Sequence, residues 1–249
     1  MSNIKTKPGY GDFGNLSKQY AKHRTGYPDE VIKYFWENIK VNNPLILDVG
    51  CGTGIPTRQI LRDGAKIIGI DKDPKMIEEA KKVSSDIEYT VALANALPFA
   101  DESFDAATSF SAFHWFVDDA SVNEIKRILK PNAIYFVANK REQKGLKTEF
   151  RSIVTNFVGE LPNFRNDYKA KAILERNGFS KVESREFDAV ESFTVDHANQ
   201  YAQTMSLLNL VPENQKEVVL AKFNIYCKNN AVDNIIESKA KVIVILGIK

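Results

Sequence analysis

Apolar residues fall along the chain in two alternating patterns, helical stripes and short unbroken runs. Val31, Ile32, Phe35, Trp36 and Ile39 recur at i, i+1, i+4, i+5 and i+8 behind Pro28, which predicts an amphipathic helix over 28–39. PLILDVG (44–50) is a continuous apolar run closed by an acid and a glycine, the pattern of a strand covered on both faces. The rhythm then alternates: a helix around 55–63, a strand over 65–71, a helix over 74–82, and strands over 87–93 and 104–110. A helix over 119–130 and a strand over 133–139 complete the series. This order predicts an α/β fold with a parallel sheet and helices on both faces. Such sheets take ligands at the carboxyl ends of their strands, so the chemistry is expected after Val49, Ile70, Leu93 and Phe110.

Beyond Lys140 the pattern changes. Residues 141–177 read as helical, 179–190 as a strand and 197–230 as two helices, with Ala198, Tyr201, Ala202, Met205 and Leu208 on one stripe. KVIVILGI (241–248) is β-branched and suits a final buried strand. The expected organisation is a single domain over 1–249, with a core at about 20–140 and a helical lid plus the last strands at about 141–249. Phe150, Phe157, Phe164, Tyr168, Tyr201 and Phe223 supply the aromatic residues of that lid; aromatics at helical spacing are more often core than substrate wall.

Composition narrows the class. The 249 residues carry 34 basic and 32 acidic side chains, a net +2, which argues against a dedicated nucleic-acid binder with its clustered cationic surplus. A content of 43% hydrophobic and 27% charged residues reads as globular. Two cysteines, Cys51 and Cys227, are too few for a disulfide framework and suit a reducing compartment. The first fifteen residues lack the apolar stretch of a secretory signal, and no run approaches the ~18 apolar residues of a membrane span. The expectation is a cytoplasmic protein with neither nucleic acid nor membrane as a partner.

The strongest chemical signal is Leu47-Asp48-Val49-Gly50-Cys51-Gly52-Thr53-Gly54, a strand that runs into three alternating glycines and then a helix with Pro56 near its start. Glycines let the backbone turn and approach a ligand closely, and a helix N-terminus offers free amides to a negative group. A dinucleotide fingerprint begun at Gly50 requires glycine where Ile55 stands, and one begun at Gly52 requires it where Thr57 stands. The Gly-Lys-Ser/Thr of a phosphate loop is absent as well. Both departures disfavour a nicotinamide oxidoreductase and a nucleotide hydrolase. Asp71 ends the second strand, 21 positions after Gly50 (71 minus 50), where a carboxylate can accept both hydroxyls of an adenosine ribose. Its alternative role is to cap the helix that opens at Pro74, a task open to Asp73 as well.

LDVGCGTG, followed by GID and ALPFADESFDAATS, resembles the class I S-adenosylmethionine-dependent methyltransferases over about residues 20–140. The resemblance implies a Rossmann-like, seven-stranded, mostly parallel sheet whose last strand is antiparallel. It also implies S-adenosylmethionine as cofactor, with Gly50 and Gly52 beside the methionine part and Asp71 on the ribose. ALPFADESFD and FSAFHWFVDD are similar to the small-molecule subfamily that includes trans-aconitate methyltransferase, so the implied partner is a small-molecule acceptor. YAKHRTGYP (20–28) matches a stretch whose Tyr and Arg lie over the cofactor's carboxylate, here Tyr20 and Arg24. Many relatives place acids where Leu93 and Asn95 stand, so adenine recognition is expected to rest on backbone around Ala94 and on the Asn95 amide. Asp48, Cys51, Lys72 and Phe110 complete the expected cofactor set at these strand ends. The alternative is a binding module of the same fold that holds the cofactor without turnover.

Transfer from a sulfonium needs alignment of the nucleophile more than a dedicated base. SFSAFHWF (109–116) offers aromatic walls and one titratable side chain, His114, which can take a proton, hold a substrate carboxylate or fix the strand end among its aromatic neighbours. Trp115 is expected in the core. No Asn/Asp-Pro-Pro-Tyr/Phe sequence stands here, which speaks against amino methylation of DNA bases or protein glutamine. His23 and His197 lie too far apart in sequence to suggest a ligand pair, and neither HExxH nor CxxC occurs, so no metal is expected.

Overall fold

The computed structural model describes residues 14–159, 161 and 169–249. Seven strands, β1 (Leu45–Val49), β2 (Lys66–Asp71), β3 (Glu88–Val91), β4 (Phe104–Phe110), β5 (Leu129–Lys144), β6 (Ser180–Thr194) and β7 (Ile235–Ile248), join in the order β3-β2-β1-β4-β5-β7-β6. The β1–β2, β2–β3, β1–β4 and β4–β5 pairs are parallel. At the far end the chain beyond β7 meets β5: the Lys249 amide donates to the Ala133 carbonyl at 2.9 Å, and the Lys249 carbonyl accepts from the Asn132 amide at 3.2 Å. The sheet is thus the expected seven-stranded, mostly parallel one. The strand order reverses between β1 and β4, and ligands of open α/β sheets bind outside the carboxyl ends at such a point.

The contacts divide the chain into two compact units. The sheet unit takes Thr25–Arg141, Asp167–Ala189 and Lys241–Lys249; the helical unit takes Met1–Arg24, Glu142–Asn166 and Val190–Ala240. In the sheet unit, Leu47, Val49 and Ile70 pack with Phe104, Phe113, Ile125, Leu129, Tyr135 and Leu174 in one continuous core. Helices α2 (Asp29–Glu37), α3 (Ile55–Gln59), α4 (Pro74–Val83), α5 (Asp119–Ile128) and α7 (Ala170–Arg176) belong to it. Two of them begin on aspartate caps: Asp73 accepts from the Lys75 amide at 2.9 Å and Asp118 from the Ser121 amide at 2.8 Å.

In the helical unit, α1 (Ser17–His23), α6 (Leu146–Val158), α8 (Val195–Gln203) and α9 (Glu213–Asn230) enclose a second core. It contains Phe150, Phe193, Ala198, Tyr201, Met205, Leu208 and Phe223. The stripe read from the sequence is therefore buried, although Met205 lies just past α8 and Leu208 in a following 3₁₀ turn. Phe157 packs against this core, while Phe164 and Tyr168 lie outside the described residues.

Several boundaries move. The helix expected over 55–63 is only five residues long, and the strand expected over 133–139 runs from Leu129 through Lys144. Arg141, Glu142, Gln143 and Lys144 are good helix formers, but strand pairing overrides that weak preference. β7 begins at Ile235, six residues before the apolar run: Ile236, Ser238 and Ala240 point inward while their neighbours are exposed. Burial of a serine hides that alternation from a hydropathy reading.

Candidate active site

At the end of β1 the chain turns through Gly50, Gly52 and Gly54, all at positive φ, before α3. The amides of Gly50 and Cys51 both donate to the Ile70 carbonyl, at 2.8 and 2.9 Å, and so fasten the turn to β2. A Cβ on Gly50 would lie 2.6 Å from the Ala112 Cβ, so both the dihedral and the space require glycine there. Gly52 differs. Its φ is +55°, yet a Cβ would meet nothing within 4 Å, which leaves room over the turn for a ligand.

Asp48 lies fully buried beneath this turn and accepts from Thr57 Oγ1 at 2.6 Å and Thr108 Oγ1 at 2.9 Å. Burial pushes its carboxyl up to about 6, and the nearby Asp71 adds to the rise; the two threonine bonds oppose it. Its side chain is thus committed to holding α3 and β4 around the turn. Cys51 is buried too, and burial first, then Asp48 and Asp71, hold its thiol well above the ordinary range. A buried thiol between two acids is no nucleophile.

Asp71, half-buried at the end of β2, accepts from the Gly52 amide through Oδ2 at 3.0 Å and from the Asp73 amide through Oδ1 at 2.9 Å. Asp73 caps α4 instead. Burial raises the Asp71 pKa against those two amide bonds. The β3 exit is tied to the same place, since the Ala92 amide donates to the Asp71 carbonyl at 3.1 Å. Ala94 is half-buried there, Lys72 and Asn95 are exposed, and Leu93 is 54% exposed. The glycine turn, Asp71, Lys72 and the 92–95 segment are therefore one neighbourhood. Phe110 is a partial exception: its ring is buried 4.9 Å from that of Tyr27 and 6.0 Å from that of Phe136.

A family described as "methyltransferase domain" matches residues 47–137, which spans the glycine turn, Asp71 and the 92–95 segment. A demethylmenaquinone methyltransferase of Chlorobaculum parvum is 30% identical over 56% of this chain and 67% of its own length. The chain belongs to the class I S-adenosylmethionine-dependent methyltransferases. An uncharacterised methyltransferase-like protein of Schizosaccharomyces pombe is 28% identical over 82% of this chain and 81% of its own. In fold, the methyltransferase is similar to phosphoethanolamine N-methyltransferase 2 of Haemonchus contortus, solved with phosphomonomethylethanolamine and S-adenosylhomocysteine. The TM-score is 0.57 at 18% identity, over 99% of this chain and 59% of that one.

The residues present suit the methyltransferase cofactor. Open space lies over Gly52, and the Thr53 hydroxyl oxygen is buried in the turn without a hydrogen-bond partner. Each Asp71 oxygen accepts a single backbone bond, which leaves a second lone pair for a hydroxyl.

His114 sits on a 3₁₀ turn, Phe113–Trp115, after β4; it is half-buried, with its ring 4.7 Å from that of Trp115. Trp115, expected in the core, is only half-buried, and Phe113 fills that place with no exposed surface. The 3₁₀ turn, rather than a continuing strand, decides which aromatic points inward. Tyr20 and Arg24 belong to the helical unit. The Arg24 guanidinium lies 4.8 Å from the Tyr20 ring centroid and 4.6 Å from that of Tyr201. His23 and His197, far apart in sequence, meet within this unit with ring centroids 5.7 Å apart, and His197 Nε2 is 3.0 Å from the His23 carbonyl. Packing of α1 with α8 joins them, which sequence distance conceals. Among the described residues no group of three His, Cys, Asp or Glu is placed to hold a metal.

Sequence reading missed the Tyr27–Ser111 pair. Tyr27 is buried, with its hydroxyl 2.6 Å from Ser111 Oγ, just past the end of β4, and 3.1 Å from the Ala138 carbonyl within β5. Ser111 is exposed and strained at φ +51°. The Gly-Tyr-Pro of residues 26–28 was the visible trace.

Proposed function

We propose that the enzyme methylates a small-molecule acceptor by in-line transfer, with the cofactor seated on Asp48-supported Gly50, Cys51 and Gly52 and on Asp71. The hydrogen bond from the Gly52 amide to Asp71 carries this reading, because it joins the side-chain-free turn to the carboxylate meant for the ribose. Lys72, Ala94, Asn95 and the backbone at Phe110 complete the proposed seat. S-adenosylmethionine, when bound, supplies an electrophilic methyl on a sulfonium, so the chain's share is alignment and exclusion of water. Gly52 gives access to the methionine portion, Asp71 fixes the ribose, and Ala94 with Asn95 frames the adenine. His114 orients the acceptor or takes its proton. The small-molecule reading draws support from the quinone-type and phosphobase acceptors in the names of the similar proteins. Two free, buried thiols suit a cytoplasmic setting, and no described helix is long and apolar enough to cross a membrane.

Calorimetric titration with S-adenosylmethionine and S-adenosylhomocysteine tests the seat: Asp71→Ala is expected to weaken both. Incubation with methyl-labelled cofactor and a metabolite extract tests transfer. Label that never leaves the cofactor refutes turnover while leaving the seat intact.

A further inference from the structure

Tyr27 and Ser111 form a hydroxyl pair whose polarity the surrounding chain dictates, and every group in it belongs to the sheet unit. One side chain of α3 holds the Tyr27 backbone from both sides: its amide donates to Gln59 Oε1 at 2.7 Å and its carbonyl accepts from Gln59 Nε2 at 3.0 Å. Lys140 donates to Thr25 Oγ1 at 3.0 Å and places its ammonium 5.1 Å from the centroid of the Tyr27 ring. The phenol is thus fixed, with its hydroxyl 2.6 Å from Ser111 Oγ and donating to the Ala138 carbonyl. That carbonyl also accepts from the Ser111 amide at 2.7 Å, so both its lone pairs are engaged. With the phenol proton on Ala138, the Ser111 hydroxyl has to donate to Tyr27 Oη. The serine oxygen then keeps two lone pairs and has no proton to offer.

Ser111 is exposed, and its φ of +51° is a strained conformation for any residue but glycine. Glycine would make the same turn without strain, so what serine adds is the hydroxyl. The residue stands beside the glycine turn: its neighbour Ala112 fills the space a Cβ on Gly50 would need, and β4 pairs with β1 where the strand order reverses. A neutral oxygen or nitrogen that attacks a methyl group turns a lone pair toward that carbon, and the hydrogen it carries is the handle by which a protein can orient it. A carboxylate brings only lone pairs, which would face those of Ser111. We propose that Ser111, with its own proton tied to Tyr27, accepts a hydrogen bond from the atom to be methylated, so the substrate class bears a hydroxyl or amine N–H at that atom rather than a carboxylate or a reactive carbon. Tyr27 is then a positioning residue, since it acts through Ser111. This rests on the methyltransferase function proposed above.

The test incubates the full chain with methyl-labelled cofactor and a metabolite extract, then treats the labelled product with mild alkali and afterwards with hot hydriodic acid. Alkali splits methyl esters to methanol; the acid releases methyl iodide from ethers at moderate temperature and from amines at higher temperature; a methyl group on carbon survives both. Label stable to alkali and released as methyl iodide is expected. Label lost to alkali, or retained after the acid, overturns the proposal. Ser111→Gly removes the hydroxyl and relieves the strain, so it is expected to hold or raise the melting temperature while slowing transfer about fivefold to tenfold, the worth of one hydrogen bond, with S-adenosylhomocysteine affinity within about twofold. Tyr27→Phe, which keeps the ring and its packing, is expected to slow transfer by a smaller factor. A wild-type rate in either variant overturns the proposal. So does a Ser111→Gly loss of S-adenosylhomocysteine affinity with that for 5′-methylthioadenosine kept, since Ser111 would then hold the cofactor's amino group. A wild type that transfers label to nothing in the extract overturns the function proposed above, and this assignment with it.

Discussion

The Gly52 amide donates to Asp71 Oδ2 at 3.0 Å, so two candidate cofactor contacts 19 residues apart are coupled before any ligand arrives. The bond orients the carboxylate and fixes the amide of the most open residue in the turn. Loss of Asp71 therefore removes a ligand contact and loosens the turn together. Asp71→Ala is expected to lower S-adenosylhomocysteine affinity by about tenfold to a hundredfold, the range for a charge-assisted hydrogen-bond partner. A calorimetric change below threefold would falsify the ribose assignment.

Gly50 and Gly52 separate folding from binding. Gly50→Ala combines positive φ with a 2.6 Å clash against Ala112, and is expected to cost about 2–4 kcal/mol of stability. Gly52→Ala meets no neighbour, so the dihedral strain of about 1 kcal/mol is its main folding cost. Its methyl group nevertheless projects into the space proposed for the methionine portion. Thermal unfolding beside ligand titration should show Gly50→Ala as the stability defect and Gly52→Ala as the binding defect; the reverse ranking would contradict the seat.

Asp48 predicts a pH dependence. Its pKa rises from 3.8 to about 6 on folding, chiefly through burial, so between about pH 4 and 6 the native state holds a proton that the unfolded state has released. Stability from this group must fall as pH rises through that window, reaching a penalty of about 3 kcal/mol above it. Below pH 4 the penalty is absent. Asp48→Asn should flatten this part of the profile, read as the wild-type-minus-variant difference in denaturant midpoint across pH 4–7. Parallel profiles would show that Asp48 titrates normally.

The two thiols should be inert in the native protein. Burial keeps Cys51 well above its ordinary pKa and pushes Cys227 up to about 11. A chromogenic disulfide reagent at pH 8 is expected to label neither until denaturant is added. Rapid native labelling of Cys51 would reopen a nucleophilic role for it.

His114 divides transfer from binding. If it orients the acceptor or takes its proton, His114→Ala should lower turnover about a hundredfold, within the range for general acid–base groups, while S-adenosylhomocysteine affinity stays within about twofold. Full turnover in the variant would leave the imidazole as packing for the Trp115 ring.

The glycine spacing of residues 50–54, the run that forms β1 and the acid that ends β2 were legible in the sequence, because backbone freedom and strand burial depend on residue type alone. So were the choice between Asp71 and Asp73 as alternatives and the apolar stripe that begins in α8, though not their resolution. Which acid caps α4 was decided by where the Gly52 amide lies, a contact across 19 residues. Tertiary structure alone brought Tyr27 to Ser111 across 84 residues and Lys147 to the Arg24–Tyr201 pair, and extended β5 through a polar stretch that favours helix. Local patterns record what each segment can bury. The partners that satisfy its polar groups are set by strand order and helix packing, which no short window of sequence contains.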